Sequence, residues 1–176
     1  MPYTVSIVKI PVFLSCPTSL SPQQSAAREV VLTKLAAMGL EPRAVGRSDY
    51  PTELPLREVL VLARHCSGGV ILGFEQYRSV RGIDKPGTQQ EITQDSPRSF
   101  ATPWNHIEAG ILLAQSVPLL IFRERGMAGG IFDPGVTDVF VRDMPEDGSL
   151  SDDEEESLDG VFLKWQAEVR HHYYKL

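Results

Sequence analysis

A continuous apolar run at residues 117–122, Val-Pro-Leu-Leu-Ile-Phe, constrains the fold of this chain more than any other stretch. Such runs form strands buried on both faces, as found in parallel sheets that carry helices on each side. The residues before it predict one of those helices, because Thr102 suits an N-cap and Pro103 the first helical position. We expect its inner face to carry the residues that recur near a 3.6-residue period, Trp104, Ile107, Ile111 and Gln115, with Leu112 and Ala114 widening the apolar stripe.

The remainder of the chain repeats this alternation of strand and helix. We predict strands at residues 4–14, 40–45, 70–74, 117–122 and 139–141. We predict helices at about residues 21–38, 54–65, 102–115 and 152–174, the last as a C-terminal helix packed on the sheet. Capping boxes at Ser21–Gln24 and Ser151–Glu154, and Gly39 as a C′ residue, mark helix boundaries. The pattern predicts a single α/β domain over residues 1–176, a three-layer α/β/α, flavodoxin-like, doubly wound parallel sheet of about five strands in the order 2-1-3-4-5.

Residues 75–101 interrupt this alternation. They are polar, contain two glycines and two prolines, and show no sustained hydrophobic period. A connection of this length inside a compact α/β domain is usually functional or mobile. We interpret the segment as an irregular flap over the crevice at the edge of the sheet.

Composition narrows the class of protein. The 176 residues are 42% hydrophobic and 23% charged, as expected for one globular domain. A net charge of −6 with scattered basic residues argues against nucleic-acid binding. Cys16 and Cys66 are far apart and lack CxxC spacing, so we expect neither a disulfide nor a metal site. The absence of a signal-peptide pattern and of long apolar runs predicts a cytoplasmic protein with no membrane partner.

Glu108 breaks the predicted inner face of the helix that precedes the run at 117–122. Helical side chains lean toward their N-terminus, so this carboxylate should reach the sheet edge at which open α/β sheets bind ligands. The strand order 2-1-3-4-5 places the topological switch point between strands one and three, flanked by residues 15–20 and 73–77. The sequence therefore predicts an inward-facing carboxylate at a ligand site, with a partly exposed helix glutamate as the alternative.

Several common motifs are absent. The chain has no GxGxxG, GxxxxGK[ST] or GxSxG sequence, so neither a classical dinucleotide fingerprint, a P-loop nor a nucleophile elbow is expected. Its four histidines show no metal-ligand spacing. Cys16 lies in the first crevice loop without an identifiable base, which favours a packing role over a nucleophilic one.

Five segments carry a resemblance to known families. The order of VFLS at 12–15, RSDYP at 47–51, VILGF at 70–74 and WNHIEAG at 104–110, followed by VPLLIF, resembles the Toll/interleukin receptor (TIR) superfamily. It is also similar to the nucleoside 2-deoxyribosyltransferases, which share that fold. In enzymatic TIR domains a glutamate on the helix after the third strand acts in cleaving NAD, and it often follows a tryptophan by four residues, as Glu108 follows Trp104.

The deoxyribosyltransferases use the corresponding glutamate as a nucleophile within a GTxxEIGxAxAxGKP pattern. Residues 108–118, EAGILLAQSVP, match the latter half of that pattern, although no GT precedes them at the right spacing. Residues 87–91, GTQQE, fit GTxxE but are not followed by a small-residue helix and an apolar strand. Glu108 is therefore the preferred candidate over Glu91.

The resemblance implies an NAD-cleaving hydrolase that acts on the N-glycosidic bond, as a homo-oligomer, in antiviral defence. It would release nicotinamide and leave a linear or a cyclic ADP-ribose-type product, with NAD as substrate and no cofactor. A fixed carboxylate at Glu108 would stabilise charge on the ribose or attack the anomeric carbon. The predicted substrate-binding residues are Ser15, Cys16, Pro17, Thr18, Gly73, Phe74, Asp49, Tyr50, Trp104 and Asn105.

Two other functions stay open. One is a nucleoside or nucleotide N-glycosidase or 2-deoxyribosyltransferase. The other is a non-catalytic module that binds a nucleotide signal or scaffolds partners through residues 46–51, where Asp49 and Tyr50 occupy the counterpart of the TIR loop that gates the site and mediates assembly.

Overall fold

A computed structural model describes residues 9–45, 54–137, 139, 141–145 and 150–175 of the chain. In chain order its elements are β1 (Ile10–Ser15), α1 (Pro22–Ala37), β2 (Leu40–Arg43), α2 (Pro55–Arg64), β3 (Gly69–Gly73), β4 (Tyr77–Ser79), β5 (Gly82–Asp84), β6 (Ile92–Gln94), β7 (Arg98–Phe100), α3 (Pro103–Ala114), β8 (Leu119–Arg123), a 3₁₀ turn (Gly130–Phe132), β9 (Val141–Asp143) and α4 (Asp152–Lys175). No helix in these ranges combines the length and the apolar character needed to cross a membrane.

The central sheet contains five strands in the order β2-β1-β3-β8-β9, and every neighbouring pair is parallel. Val70 of β3 pairs with Leu14 of β1 on one side and with Leu120 of β8 on the other. The chain thus winds in both directions from the boundary between β1 and β3. This confirms the predicted flavodoxin-like order and places the switch point between those two strands.

Helices cover both faces of the sheet. Alternate residues of β3 point to opposite faces, so that Val70 and Leu72 join the core cluster under α1 and α4, whereas Ile71 joins the cluster under α2 and α3. Because both of their faces are buried, the central strands β3 and β8 are nearly continuous apolar runs rather than alternating ones. The result is the predicted three-layer α/β/α architecture.

The helix boundaries follow the capping signals in the sequence. Ser21 Oγ accepts a hydrogen bond from Gln24 N at 3.1 Å, and Gln24 Oε1 accepts one from Ser21 N at 3.0 Å. Gly39, with φ of 71°, follows the end of α1 in the left-handed conformation that a C′ residue requires. Glu154 likewise accepts a hydrogen bond from Ser151 N at 3.0 Å, so the acidic run at 152–156 begins α4.

The buried face of α3 agrees only in part with the one predicted from apolar periodicity. Leu112 is fully buried and Ile111 packs against the core as predicted, whereas Trp104 and Ile107 are each 43% exposed. Asn105 and Ala109 are buried in addition. The small side chain of Ala109 lets the helix lie close to the sheet, and Asn105 is buried because it has hydrogen-bond partners there.

Residues 75–101, interpreted above as an irregular flap, contain four short strands in two antiparallel pairs. Tyr77 of β4 pairs with Phe100 of β7, and Ile83 of β5 pairs with Thr93 of β6. We call this segment the ribbon. Its base closes with a hydrogen bond from Gln76 N to Phe100 O at 2.9 Å. Each strand has three residues, which is too short for a hydrophobic period to show in the sequence.

Candidate functional site

A cavity of about 320 Å³ opens at the carboxyl ends of β1 and β3, at the switch point of the sheet. Its walls come from the loop after β1, the N-terminal turns of α2 and α3, and the base of the ribbon. The lining residues are Ser15, Cys16, Pro17, Thr18, Val45, Pro55, Val59, Gln76, Thr102, Trp104, Asn105 and Glu108. Among the described parts of the chain, two larger cavities of about 590 and 740 Å³ lie against α4 and contain none of the predicted site residues.

The cavity brings together seven of the residues predicted from the sequence: Ser15, Cys16, Pro17, Thr18, Trp104, Asn105 and Glu108. Gly73 and Phe74 lie elsewhere. A Cβ on Gly73 would run into the ring of Phe132, which makes this glycine a packing position. Phe74 is fully buried and borders a separate cavity beside Gln24. Asp49 and Tyr50 lie outside the described residues.

Glu108 occupies the inner face of α3, one turn after Asn105 and one turn before Leu112. Its side chain is half-buried at the cavity. Burial raises the pKa of the Glu108 carboxyl above its ordinary value, because the charged form loses hydration, and a hydrogen bond from Ser15 partly opposes that rise. The inward-facing carboxylate expected from the sequence is therefore present, although its neighbours on the helix differ from those predicted.

Asn105 connects the helix to the two strands beside the switch point. Its Nδ2 donates to Ser15 Oγ at 2.8 Å and to Leu72 O at 3.4 Å. Its Oδ1 accepts a hydrogen bond from Thr102 Oγ1 at 2.8 Å. Both amide protons of Asn105 are thus used within the protein, so its predicted contact with a ribose hydroxyl would require the hydroxyl to donate to Oδ1.

The cavity lining also contains residues that sequence reasoning did not select. Gln76, at the base of the ribbon, lines the cavity and donates Nε2 to Ser19 O at 3.0 Å. Val45, Pro55 and Val59 add an apolar wall. Gln76 lies two residues after the predicted strand at 70–74, within the range 73–77 that the sequence places beside the switch point, although it was not selected as a site residue. Glu108 is the sole charged side chain among the described lining residues.

Cys16 and Cys66 form no disulfide and lie in different surroundings. Cys16 is half-buried in the cavity wall, and its Sγ donates to Pro17 O at 3.4 Å. Cys66 is buried in the core under α2 and α3, and burial raises the pKa of its thiol to about 12. A thiol with so high a pKa stays protonated and unreactive at neutral pH. In the described ranges no group of three or more His, Cys, Asp or Glu side chains is placed to hold a metal ion.

Comparison with known proteins does not assign the chain to a family. No protein-family model matches the sequence, and no curated protein matches it. The TIR-like resemblance described above therefore stays a prediction. The arrangement around Glu108 is the basis for the function proposed next.

Proposed function

We propose that this protein is a TIR-like enzyme that cleaves the N-glycosidic bond of NAD, with Glu108 as its catalytic carboxylate. The observation that carries this proposal is a half-buried carboxylate that is the sole charged group of the described cavity lining. The nicotinamide ring of NAD is cationic while the bond is intact. A lone carboxylate in a site shielded from water favours such a cation over neutral or anionic groups. Trp104 adds an aromatic face, which also attracts cations.

In the proposed reaction the bond between ribose C1′ and the nicotinamide nitrogen breaks. The bonding electrons leave with the nitrogen, so nicotinamide departs as a neutral molecule and positive charge develops on the ribose. Glu108 stabilises that charge or bonds transiently to C1′. Water then adds to C1′ and releases one proton to solvent, which yields ADP-ribose. Attack on C1′ by another group of the same molecule in place of water yields a cyclic product.

The composition of the cavity supports NAD over neutral nucleosides. A purine or pyrimidine base leaves readily only when it gains a proton, which a general acid supplies. The described lining contains no histidine, lysine, arginine or second carboxylic acid near Glu108. Nicotinamide needs no such proton, because it is already cationic before the bond breaks. One carboxylate is therefore sufficient for the reaction with NAD.

A second candidate function is a nucleoside N-glycosidase or 2-deoxyribosyltransferase, in which Glu108 attacks C1′ of a nucleoside. The size of the cavity favours it. A volume of about 320 Å³ is at the lower end for ligand sites and suits a nucleoside, whereas much of a dinucleotide would extend beyond the described lining. A non-catalytic module that binds a nucleotide is the third candidate, and it shares the same cavity.

The cellular part of the proposal comes from the TIR resemblance alone. It comprises a cytoplasmic location, action as a homo-oligomer, and production of an NAD-derived signal in antiviral defence. Because assembly is part of that resemblance, turnover is best measured at high protein concentration.

The test compares the wild-type protein with Glu108→Gln and, as a matched control, with Glu91→Gln, an exposed glutamate of the ribbon. Each is incubated with NAD and, separately, with a panel of nucleosides, and the freed bases are measured by mass spectrometry. We expect nicotinamide release by the wild-type protein and by Glu91→Gln, and a loss of about 100-fold or more in Glu108→Gln. Circular dichroism checks that each variant is folded.

Equal nicotinamide release by folded Glu108→Gln would refute the role of Glu108. Release of bases from nucleosides but not from NAD would instead support the second candidate, a nucleoside N-glycosidase or 2-deoxyribosyltransferase. Saturable binding of NAD or a nucleotide without turnover would support the non-catalytic module.

A further inference from the structure

We propose that the ribbon is a dimerisation arm, which in the assembled protein lies on the solvent-facing side of α3 in a second copy of the chain. Two exposed apolar surfaces of the structure, one on the ribbon and one on α3, support this pairing. The pairing does not depend on the reaction proposed above, and it is tested without NAD.

The first surface is the ribbon itself. None of residues 75–100 is buried. Its five large apolar side chains are between 39% and 70% exposed: Tyr77, Val80, Ile83, Ile92 and Phe100. Two-stranded pairs are only marginally stable in water, because they need a third strand or a packed face to bury apolar area. The ribbon therefore carries apolar area that a folded protein normally covers.

The ribbon is joined to the domain at its base. There Gln76 N donates to Phe100 O at 2.9 Å, and Gln76 Nε2 donates to Ser19 O at 3.0 Å. Beyond the base, the side-chain hydrogen bonds of residues 78–99 within the described chain run to other residues of the ribbon. From Gln76 to the turn at Thr88 an extended chain spans at most about 40 Å. The ribbon is therefore long enough to reach a neighbouring molecule.

The second surface is the side of α3 that faces solvent. Its exposed residues carry no charge, and they are Pro103, Trp104, Ile107, Gly110, Leu113 and Ala114. The solvent side of a surface helix normally carries charged and polar residues, so this face is unusual. In its middle, a Cβ added to Gly110 would meet no atom within 4 Å, which leaves room for another chain to approach the helix closely. Exposed apolar patches of this kind mark interaction sites.

A second copy of the chain covers both surfaces at once. The ribbon does not cover α3 of its own chain, because both surfaces are exposed in the same molecule. In a two-fold dimer the ribbon of each copy would lie on α3 of the other, so that one contact occurs twice and the assembly closes. The chain has a net charge of −6, and two such copies repel each other least through a face that carries no charge.

The size of the two surfaces fits a stable dimer. One side of the ribbon and the exposed face of α3 together supply about 20 residues per copy, as in standard interfaces that bury about 800 Å² per partner. Either surface alone would supply too few residues. The second copy is therefore an occupant that matches both the apolar character and the extent of these surfaces.

The test measures the mass of the 176-residue chain by sedimentation velocity, at concentrations from about 1 µM to about 500 µM. We expect the wild type to shift from monomer to dimer as the concentration rises. Ile83→Lys in the ribbon and Ile107→Glu on α3 each place a charge in the interface and should raise the dissociation constant about tenfold or more. Leu163→Glu is the matched control, because Leu163 is 58% exposed on α4, away from both surfaces, and it should leave the constant unchanged.

A mixture of Ile83→Lys with Ile107→Glu distinguishes the proposed pairing from other dimers. In the mixed dimer one contact between ribbon and helix is unaltered, and the other brings lysine to the same contact as glutamate. We therefore expect the mixture to form dimers at concentrations at which each variant alone is monomeric. Circular dichroism checks folding, and Leu113→Glu replaces Ile107→Glu if the latter does not fold.

A wild type that stays monomeric at every concentration would overturn the second copy as the occupant of these surfaces. An unchanged dissociation constant in either variant would also overturn the proposal, and so would a mixture that stays monomeric. NAD cleavage by a monomer would refute the arm and keep the proposed function. A dimer without NAD cleavage would do the reverse, so the two failures are distinguishable.

Discussion

Glu124, directly after β8, accepts a hydrogen bond at 3.1 Å from Nε2 of Gln24, which lies in the first turn of α1. The same carboxylate accepts the backbone N–H of Glu75, where the chain leaves β3 for the ribbon. The Glu124 backbone N–H in turn donates to Gly73 O at 2.9 Å. One half-buried residue thus holds together the ends of two central strands, the start of a helix and the base of the ribbon.

Substitution Glu124→Ala should loosen the base of the ribbon. It removes a charged acceptor from two donors, and we expect a loss of about 1–3 kcal/mol in the free energy of unfolding. Amide hydrogen exchange should become faster at Glu75 and along β4 and β7. The exposed Glu29 of α1 is the matched control, and Glu29→Ala should change stability by about 0.5 kcal/mol or less. Unchanged exchange in the ribbon of Glu124→Ala would contradict this role.

Glu108→Gln should make the fold more stable at neutral pH and, under the proposed function, should remove activity. Burial raises the pKa of Glu108 in the folded state, so its contribution to stability is greatest below the unfolded pKa and is lost as the pH rises through the folded one. Glutamine stays neutral throughout. We expect a gain of about 0.5–2 kcal/mol at pH 8 that diminishes toward pH 4, near the ordinary pKa of glutamate. Urea unfolding at pH 8 and pH 4 measures this difference in the free energy of unfolding. A difference that grows toward acid pH would contradict the raised pKa of Glu108.

Gly73→Ala should destabilise the protein by about 1–3 kcal/mol. A methyl group there would overlap the ring of Phe132, which is itself almost fully buried and cannot move aside easily. Gly110→Ala is the matched control on the exposed side of α3, where an added Cβ meets no atom within 4 Å. That change should raise stability by up to about 1 kcal/mol through helix propensity. Thermal unfolding measures the stability of both variants. If Gly73→Ala is as stable as the wild type, the ring of Phe132 can move aside and the prediction is wrong.

The two tryptophans should respond differently to truncation. Trp165 is 4% exposed and donates its indole N–H to Pro118 O at 3.0 Å, so Trp165→Ala should lose about 3–5 kcal/mol of stability. Trp104 is half-exposed at the cavity rim, and Trp104→Ala should lose roughly 1 kcal/mol. Under the proposed function, Trp104→Ala should raise the KM for NAD more than it lowers kcat. A KM equal to that of the wild type would remove Trp104 from the binding site.

The order of the central sheet could be predicted because its signals are local. The capping box at Ser21–Gln24 and the C′ glycine at Gly39 each set a helix boundary with residues only a few positions apart. Because the connections between parallel strands are almost always right-handed, buried parallel strands then leave few possible topologies. The same local reasoning located Glu108, since a charge within an apolar helix face shows in the sequence itself.

The details of the site depend on contacts between distant parts of the chain. Asn105 is buried because it meets Ser15 and Leu72, which precede it by 90 and 33 residues, and nothing near Asn105 indicates either partner. Apolar periodicity assigned Trp104 to the core, whereas its ring lies at the cavity rim. The four strands of the ribbon escaped prediction for the same reason, because each is defined by its partner across the ribbon rather than by its own three residues.

The ribbon enters and leaves the domain at one place, where Gln76 and Phe100 are a single hydrogen bond apart. A segment that is joined to the domain at one place can change in length or sequence without any change in the path of the sheet beneath it. Because Gln76 at its base also forms part of the cavity wall, each such change would remodel the entrance for ligands while the carboxylate below keeps its place. Under the proposed function, the ribbon would therefore influence which ligands enter, whereas α3 would hold the catalytic carboxylate.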